Sequence, residues 1–536
     1  MTGSRQKPVA NMESLQRLFC LPEGQGSTLG KIDREISENL LGFLRENIVA
    51  LEKPANELEK SFLDTKIPSD PIYVSDQARF LMDEVVSQSV HTAAPTFIGH
   101  MTSALPYFML PLAKIMIALN QNLVKIETAK AFTPLERQVL GMLHRLIYGR
   151  SDRFYNAKTQ NPQASLGSLC SDGTVANITA LWVALNRLLP ANESFHGLNN
   201  EGLYRAMNEY PYEDLKILVS QRGHYSLHKA AALLGIGKQN LVSIETDHHQ
   251  KIRMDLLEAK VQELKKKRVG IVAIVGIAGT TETGNVDPLD KMADLCQREG
   301  IYFHVDAAWG GPTLFSRRYG KLLCGIERAD SVTIDAHKQL YVPVGAGMVL
   351  FQDETSLDLI EHSAQYIIRS GSRDLGRKSL EGSRPGMAML VHSGLRVIGQ
   401  KGYELLIDTG IEKALLFGKM IDEHPDFELI TEPELNILTY RFVPESLSDD
   451  KRRASGLLNK LTIKIQKKQR ELGRSFVSRT SLELHHYGKE AVCVFRVVLA
   501  NPLTQKEHLK DILDEQRVLG YEIFGMMTIP GKSLPL

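Results

Sequence analysis

Between about residues 110 and 400, short apolar runs alternate with stretches whose apolar residues recur every three or four positions. The runs KILVS (216–220), LVSIE (241–245), GIVAIVGI (270–277), IYFHVD (301–306), SVTID (331–335) and GMVLF (347–351) are too short for helices and predict strands. Several are apolar on both faces, as strands of a covered, mostly parallel sheet are. Between them, MDLLEAKVQELKKK and DPLDKMADLCQREG carry the helical period. Alternation of this kind predicts the α/β class, with helices packed on the sheet.

The flanking chain follows a different grammar. Upstream, KIDREISENLLGFLRENIVALEK and DQARFLMDEVVSQSV repeat the helical spacing, and TAAPTFIGHMTSALPYFMLP interrupts it with prolines. Downstream, the helical GYELLIDTGIEKALLFGKMIDEH leads into β-type FELITEPELNILTYRFV, a basic helix, AVCVFRVVLANP and a last helix. The expected organisation is a helical N-terminal arm (1–109), a large α/β domain (110–400) and a small α+β domain (401–536).

Composition narrows the partners. The 64 basic and 63 acidic residues nearly cancel, so no bulk field attracts nucleic acid or an anionic membrane. Five cysteines without a CxxC pair argue against a disulfide framework or a structural zinc site and fit a reducing, cytoplasmic compartment. The N-terminal MTGSRQKPVANMESLQRLF is polar where a signal peptide needs its apolar core, and Met12 is a possible second start. The run IVAIVGIA is far below the roughly 18 residues that span a membrane. The expectation is a soluble cytoplasmic protein, free of nucleic acid and membrane, that acts on a small molecule.

Open α/β sheets bind ligands beyond the carboxyl ends of their strands. Asp306 and Lys338 fall at such ends, and so does QRGHYSLHKA after KILVS. This set matches what pyridoxal 5′-phosphate asks of a protein: a lysine for its aldehyde, an acid opposite the pyridine nitrogen, a flat partner for the ring and an anion cradle for the phosphate. Lys338, in SVTIDAHKQLYVPVGAG, is the candidate lysine, and Asp306, in FHVDAAWGG, the candidate acid, with Ala307 and Ala308 leaving room for a flat ring. His224 is the candidate stacking residue, and His228 one turn later the competing choice. In CSDGTVANITALWVALNRLLP the residues Val175, Ile178, Trp182, Leu185 and Leu189 make an apolar helix face, which puts Asp172, Gly173 and Thr174 at a helix N-terminus suited to an anion. Each feature has a plainer reading as a surface lysine, a turn aspartate, a structural histidine or a simple N-cap. Their joint occurrence in the order cradle, histidine, aspartate, lysine favours the cofactor.

On the motifs SDGTVANITAL, RGHYSLHKAA, AGTTETGNVDP, FHVDAAWGG and DAHKQLYVPVGAG the chain resembles the group II pyridoxal-phosphate-dependent amino-acid decarboxylases, the glutamate and aromatic amino-acid decarboxylase superfamily. The resemblance runs from about residue 90 to the C-terminus. It implies the fold type I architecture related to aspartate aminotransferase, with a mostly parallel sheet, a helical arm and a small α+β domain. Carried over residue by residue, it makes Lys338 the aldehyde-binding lysine, Asp306 the pyridinium partner, His224 the stacking residue and Ala308 the lining of the other ring face. Asp172, Gly173 and Thr174 become phosphate-loop positions, with His337 nearby and Thr280 close to the ring. A homodimer with sites at the subunit interface is implied too, as is a mobile loop near HSAQYIIRSGSRDLGRKS that contains Tyr366. Many members have Asn-Pro before His-Lys where this chain has Asp335-Ala336, so Asp335 is not carried over as a phosphate ligand.

For the substrate, Arg384 in GSRP suits bidentate carboxylate or phosphate binding, against the alternative of a surface ion pair. His100 and Thr102, in TFIGHMTSALP, are polar where aromatic-selective members rely on apolar contacts, which suggests a polar, acidic side chain. The branch most resembled makes β-alanine from L-aspartate for pantothenate synthesis; glutamate and L-2,4-diaminobutyrate decarboxylation are the alternatives. An aminotransferase or a non-catalytic binding protein on the same fold would be a different class. The pairs His248-His249 and His485-His486 lack the spacing of a helical metal site, and no metal is predicted.

Overall fold

The computed structural model describes residues 28–43, 49–50, 53–364, 371–484, 487–488 and 491–528. It divides into two compact units, one of residues 1–100, 442–479 and 503–536 and one of 101–441 and 480–502.

The second unit holds a seven-stranded sheet. Its strands are β1 (Gly167–Cys170), β2 (Asp214–Ser220), β3 (Leu241–Ile244), β4 (Val269–Ile277), β5 (Phe303–Asp306), β6 (Ser331–Asp335) and β7 (Gly347–Phe351), in the order β1-β7-β6-β5-β4-β2-β3. The pairs from β6 through β5, β4 and β2 to β3 are parallel. β7 runs antiparallel to both β6 and β1, which leaves β1 pointing the same way as β6. The connection from β6 to β7 contains no helix, and without a crossover an antiparallel return is what the chain can form. All six predicted strands are present; β1, the four-residue GSLC, is too short to stand out from the sequence.

Six helices of this unit are α1 (Phe132–Tyr148), α2 (Gly173–Leu188), α3 (Tyr225–Leu233), α4 (Met254–Lys266), α5 (Leu289–Glu299) and α6 (Ala388–Asp422). Helix α6 is broken at Gly399, whose φ of +69° is open to glycine and costly for a residue with a Cβ. A second, four-stranded sheet follows, with β8 (Phe427–Thr431), β9 (Ile437–Phe442), β10 (Ser478–Glu483) and β11 (Ala491–Val498) in the order β10-β11-β9-β8. In the first unit the helices Ser455–Leu472 and Lys506–Thr528 pack on each other. Among the described residues no helix is long and apolar enough to cross a membrane.

Strands β5 and β6 decide the character of the site. Phe303, Val305, Val332 and Ile334 alternate into one apolar core, each worth about 1.5–3 kcal/mol on burial. Their neighbours His304, Asp306, Ser331, Thr333 and Asp335 point to the opposite face and are buried as well. Helix α2 roofs that polar face with small residues that lie beside the predicted apolar stripe, of which Ile178, Leu185 and Leu189 are buried. Val175 and Trp182 are only partly buried, while Ala176, Ala180 and Val183 are fully buried. Two α2 residues one turn apart meet the polar face. A Cβ on Gly173 would lie 2.8 Å from Asp335 Oδ2, and Asn177 accepts a hydrogen bond from Thr333.

Candidate active site

The carboxyl ends of β1, β2, β4, β5 and β6 all lie on one edge of the sheet, because these strands run in one direction. Beyond them stand Asp172-Gly173-Thr174, His224, Thr280, Asp306-Ala307-Ala308 and His337-Lys338 in turn. The topology therefore gathers on one edge the residues that the sequence scatters over 167 positions, from Asp172 to Lys338.

Lys338 is half-buried and its Nζ lies 2.9 Å from Asp335 Oδ2. Asp335 is almost fully buried, and its Oδ1 has no hydrogen-bond partner. The carboxylate is wedged between two glycines: a Cβ on Gly173 would meet Oδ2 at 2.8 Å, and one on Gly347 would meet Oδ1 at 2.7 Å. Side chains at either position would collide with it, which explains the glycine that opens α2 and the last glycine of the Gly-Ala-Gly turn. His337 donates through Nδ1 to the Ala346 carbonyl at 3.1 Å, leaving Nε2 3.7 Å from Asp335. The loop after Lys338 is held by Gln339, whose amide donates to the Trp309 carbonyl and accepts from Asn436, and by the Tyr341 hydroxyl on the Ala500 carbonyl.

Asp306 is buried with both oxygens engaged. Asn177 Nδ2 donates to Oδ2 at 2.9 Å and the Ala308 N–H to Oδ1 at 3.2 Å. His224 caps α3, its Nδ1 accepting from the Ser226 N–H at 3.3 Å and lying 2.8 Å from the Ser226 hydroxyl. Burial lowers the His224 pKa below that of a free imidazole, while the Asp306 charge opposes the shift. His228 sits a turn further along α3, half-buried.

At the start of α2, Asp172 Oδ1 accepts from the Val175 N–H at 2.9 Å and its carbonyl accepts from Ala176. The Asp172 side chain is thus spent on capping. The N–H groups of Gly173 and Thr174, the remaining donors of the first turn, are those an anion could use. Thr280 is buried, its hydroxyl bonded to Thr283 at 2.8 Å and to the Asn285 N–H, so it braces its own loop.

Arg384 departs from both expected readings. It is buried, and its guanidinium grips Glu136 with both terminal nitrogens, Nη1 at 2.5 Å. The pair is internal rather than superficial, and a substrate carboxylate could use this face of the guanidinium only by displacing Glu136. His100, in the first unit, is exposed, and Thr102, in the second, is half-buried. Tyr366, His485 and His486 lie outside the described residues.

The profile of the pyridoxal-dependent decarboxylase conserved domain matches residues 57–443. The chain belongs to that family. An aspartate 1-decarboxylase from Aliivibrio fischeri is 58% identical over 525 residues, covering 96% of both chains. The human acidic amino acid decarboxylase is 28% identical, with 83% of this chain and 81% of the relative covered. Among solved structures, mouse CSAD superposes with a TM-score of 0.79 at 26% identity, over 92% of this chain and 98% of that one. The protein is therefore a carboxy-lyase of amino acids whose cofactor is pyridoxal phosphate, built on the α/β fold that the sequence predicts.

The residues on the sheet edge fit that cofactor: an amine at Lys338, a buried carboxylate whose two oxygens are fixed at Asp306, an imidazole at His224 and two open N–H groups where the glycine at 173 leaves no side chain in the way. When bound, the cofactor supplies the electron sink for the carbanion that loss of CO2 leaves behind.

Proposed function

We propose that the enzyme removes the α-carboxylate of L-aspartate, giving β-alanine and CO2. The observation that carries this reading is the 58% identity to an aspartate 1-decarboxylase along 96% of both chains, far above the 28% shared with an acidic amino acid decarboxylase and with a cysteine sulfinic acid decarboxylase. In this reading Lys338 holds the cofactor, Asp306 faces its ring nitrogen, His224 covers the ring, and Ala308 leaves the other face open. Gly173 and Thr174 receive the phosphate through their N–H groups, and Asp172 orders that turn by capping it. His337 and Thr280 shape the walls, and Thr102, His100 and Arg384 are the candidates for the substrate side. The protein's part is orientation and electrostatics: a rigid polar face on β5 and β6 fixes the groups before substrate arrives.

We also propose a cytoplasmic homodimer. Supporting it is the helix Met109–Leu119, MLPLAKIMIAL, which exposes Leu110, Ile115, Ile117 and Leu119 on a surface that a second copy would cover. The free thiols of Cys170, Cys296, Cys324 and Cys493 suit a reducing compartment.

The test is product analysis by mass spectrometry after separate incubation of the cofactor-loaded protein with L-aspartate, L-glutamate and L-2,4-diaminobutyrate. β-Alanine as the dominant product is expected. Dominant γ-aminobutyrate or 1,3-diaminopropane would overturn the substrate while leaving the reaction class intact.

A further inference from the structure

The polar face under α2 converges on one side chain that the sequence motifs do not single out. Asn177 is buried and uses every hydrogen-bonding position of its amide. Its Nδ2 faces Asp306 Oδ2 at 2.9 Å and Ser226 Oγ at 3.1 Å, and its Oδ1 faces Thr333 Oγ1 at 2.8 Å and His304 Nε2 at 3.1 Å. The opposite amide orientation would turn its oxygen onto a carboxylate, so the chemistry of Asp306 fixes which way the group points.

That orientation propagates. Ser226 Oγ accepts from Asn177, so its own proton is free to go to His224 Nδ1, 2.8 Å away. The Ser226 N–H points at the same nitrogen. With two donors aimed at it, Nδ1 of a neutral His224 carries no proton, and the ring proton sits on Nε2. On the other side, His304 donates through Nε2 to Asn177, and its Nδ1 accepts from the Ser331 hydroxyl at 2.9 Å. Burial lowers the His304 pKa to about 4, so this ring is a neutral prop near pH 7.

We propose that Asn177 is a positioning residue of the active site, one amide that sets both the direction of the Asp306 carboxylate and, through Ser226, the tautomer of His224. The electron sink and the imidazole that covers it are then oriented by a single group, and neither can be disturbed there without the other. The inference rests on the reading that Asp306 and His224 face the cofactor.

The experiment compares the cofactor-loaded enzyme with Asn177→Ala, Asn177→Leu, Ser226→Ala and the Asn177→Ala/Ser226→Ala double variant. Two readouts are taken: the pH dependence of the bound cofactor's absorbance band, recorded without substrate, and kcat and KM for decarboxylation. Expected for both Asn177 variants is a displaced absorbance titration and a kcat lowered by roughly 10- to 100-fold, with KM moved less than about 3-fold. Ser226→Ala acts more weakly and on the same path, so the double variant is no worse than Asn177→Ala alone. Leucine keeps the forked shape of asparagine, though it is larger, and removes every hydrogen-bonding group. An Asn177→Leu enzyme with the parent's band and kcat would overturn the proposal, as would strictly multiplicative effects in the double variant. Should the Asn177 variants fail to fold, Ser226→Ala decides: an unchanged pH profile of kcat then overturns the His224 link. A wild-type enzyme inactive on aspartate would sink the proposed substrate, yet the substrate-free titration would still judge Asn177.

Discussion

Asp335 Oδ2 lies 2.9 Å from Lys338 Nζ, and the other oxygen of that carboxylate is buried with no partner. Among the described residues the carboxylate's one close cation is Lys338 Nζ, the amine that in the proposed reading would hold the cofactor. With Lys338 committed to the cofactor, as proposed, Asp335 would stand beside the first residue of α2, where the phosphate would be received. A carboxylate and a phosphate sharing a poorly solvated corner repel. Asp335→Asn should therefore bind pyridoxal phosphate more tightly, by roughly 3- to 10-fold, which is about 1 kcal/mol. Fluorescence or absorbance titration of the apoenzyme measures this, and weaker binding would contradict the assigned repulsion.

Asp306→Asn keeps the shape of the side chain and removes its charge. The carboxylate is fixed by Asn177 and the Ala308 N–H, so with Asp306 facing the ring nitrogen, as proposed, the loss would fall on the electrostatics there. The variant should retain bound cofactor yet lose roughly 100- to 1000-fold in kcat, a scale set by removing one preorganised charge-stabilising group. Parallel measurement of cofactor content and turnover separates these effects. A variant within a few-fold of the parent in kcat would contradict the pairing.

Acid should weaken the fold through two buried histidines. His144, bonded to the Tyr155 hydroxyl and the Phe351 carbonyl, and His304 both have pKa values lowered to about 4, principally by burial. Between the free-histidine value near 6.5 and about 4 the unfolded chain binds the extra protons, so stability falls as pH drops through that window. Above it both states are neutral at these rings and the effect vanishes. Each site contributes on the order of 3 kcal/mol across the whole window. Denaturant midpoints at pH 7, 6 and 5 should decline progressively, and less steeply in His144→Gln; a flat profile would contradict this account.

The Glu136–Arg384 pair is buried at both ends. Glu136→Gln leaves a guanidinium without its counter-charge and should cost about 3–5 kcal/mol of stability. Equilibrium denaturation of the variant tests it, and a loss under about 1 kcal/mol would place the pair nearer water than its burial implies.

The sequence made the cofactor edge legible because its residues fall at the ends of strands, and strand ends can be read from where apolar runs stop. Lys338, Asp306 and His224 were singled out in this way, and the fold brings them to one edge. Asn177 was not singled out, because it lies inside a helix whose apolar face, with Ile178, Leu185 and Leu189 buried as predicted, gives no sign of the polar contacts beside it. The signal was there in β5 and β6. FHVD and SVTID alternate apolar with polar residues in a sheet that is covered on both sides, and a covered polar face requires a partner to satisfy it. The burial of Arg384 was not legible, for another reason. Its partner Glu136 is 248 positions earlier in the chain, and no local pattern announces so distant an ion pair. β7 was legible as a strand but not in direction, since its direction depends on the length and content of the connection from β6.

The most direct test of the site is to reduce the cofactor-loaded enzyme with borohydride, which fixes the aldehyde to whichever amine carries it, and to map the adduct by peptide mass spectrometry. The account predicts a phosphopyridoxyl group on Lys338, and no visible absorbance band or adduct in Lys338→Ala. An adduct on a different lysine, or a Lys338→Ala enzyme that keeps both the band and turnover, would contradict it.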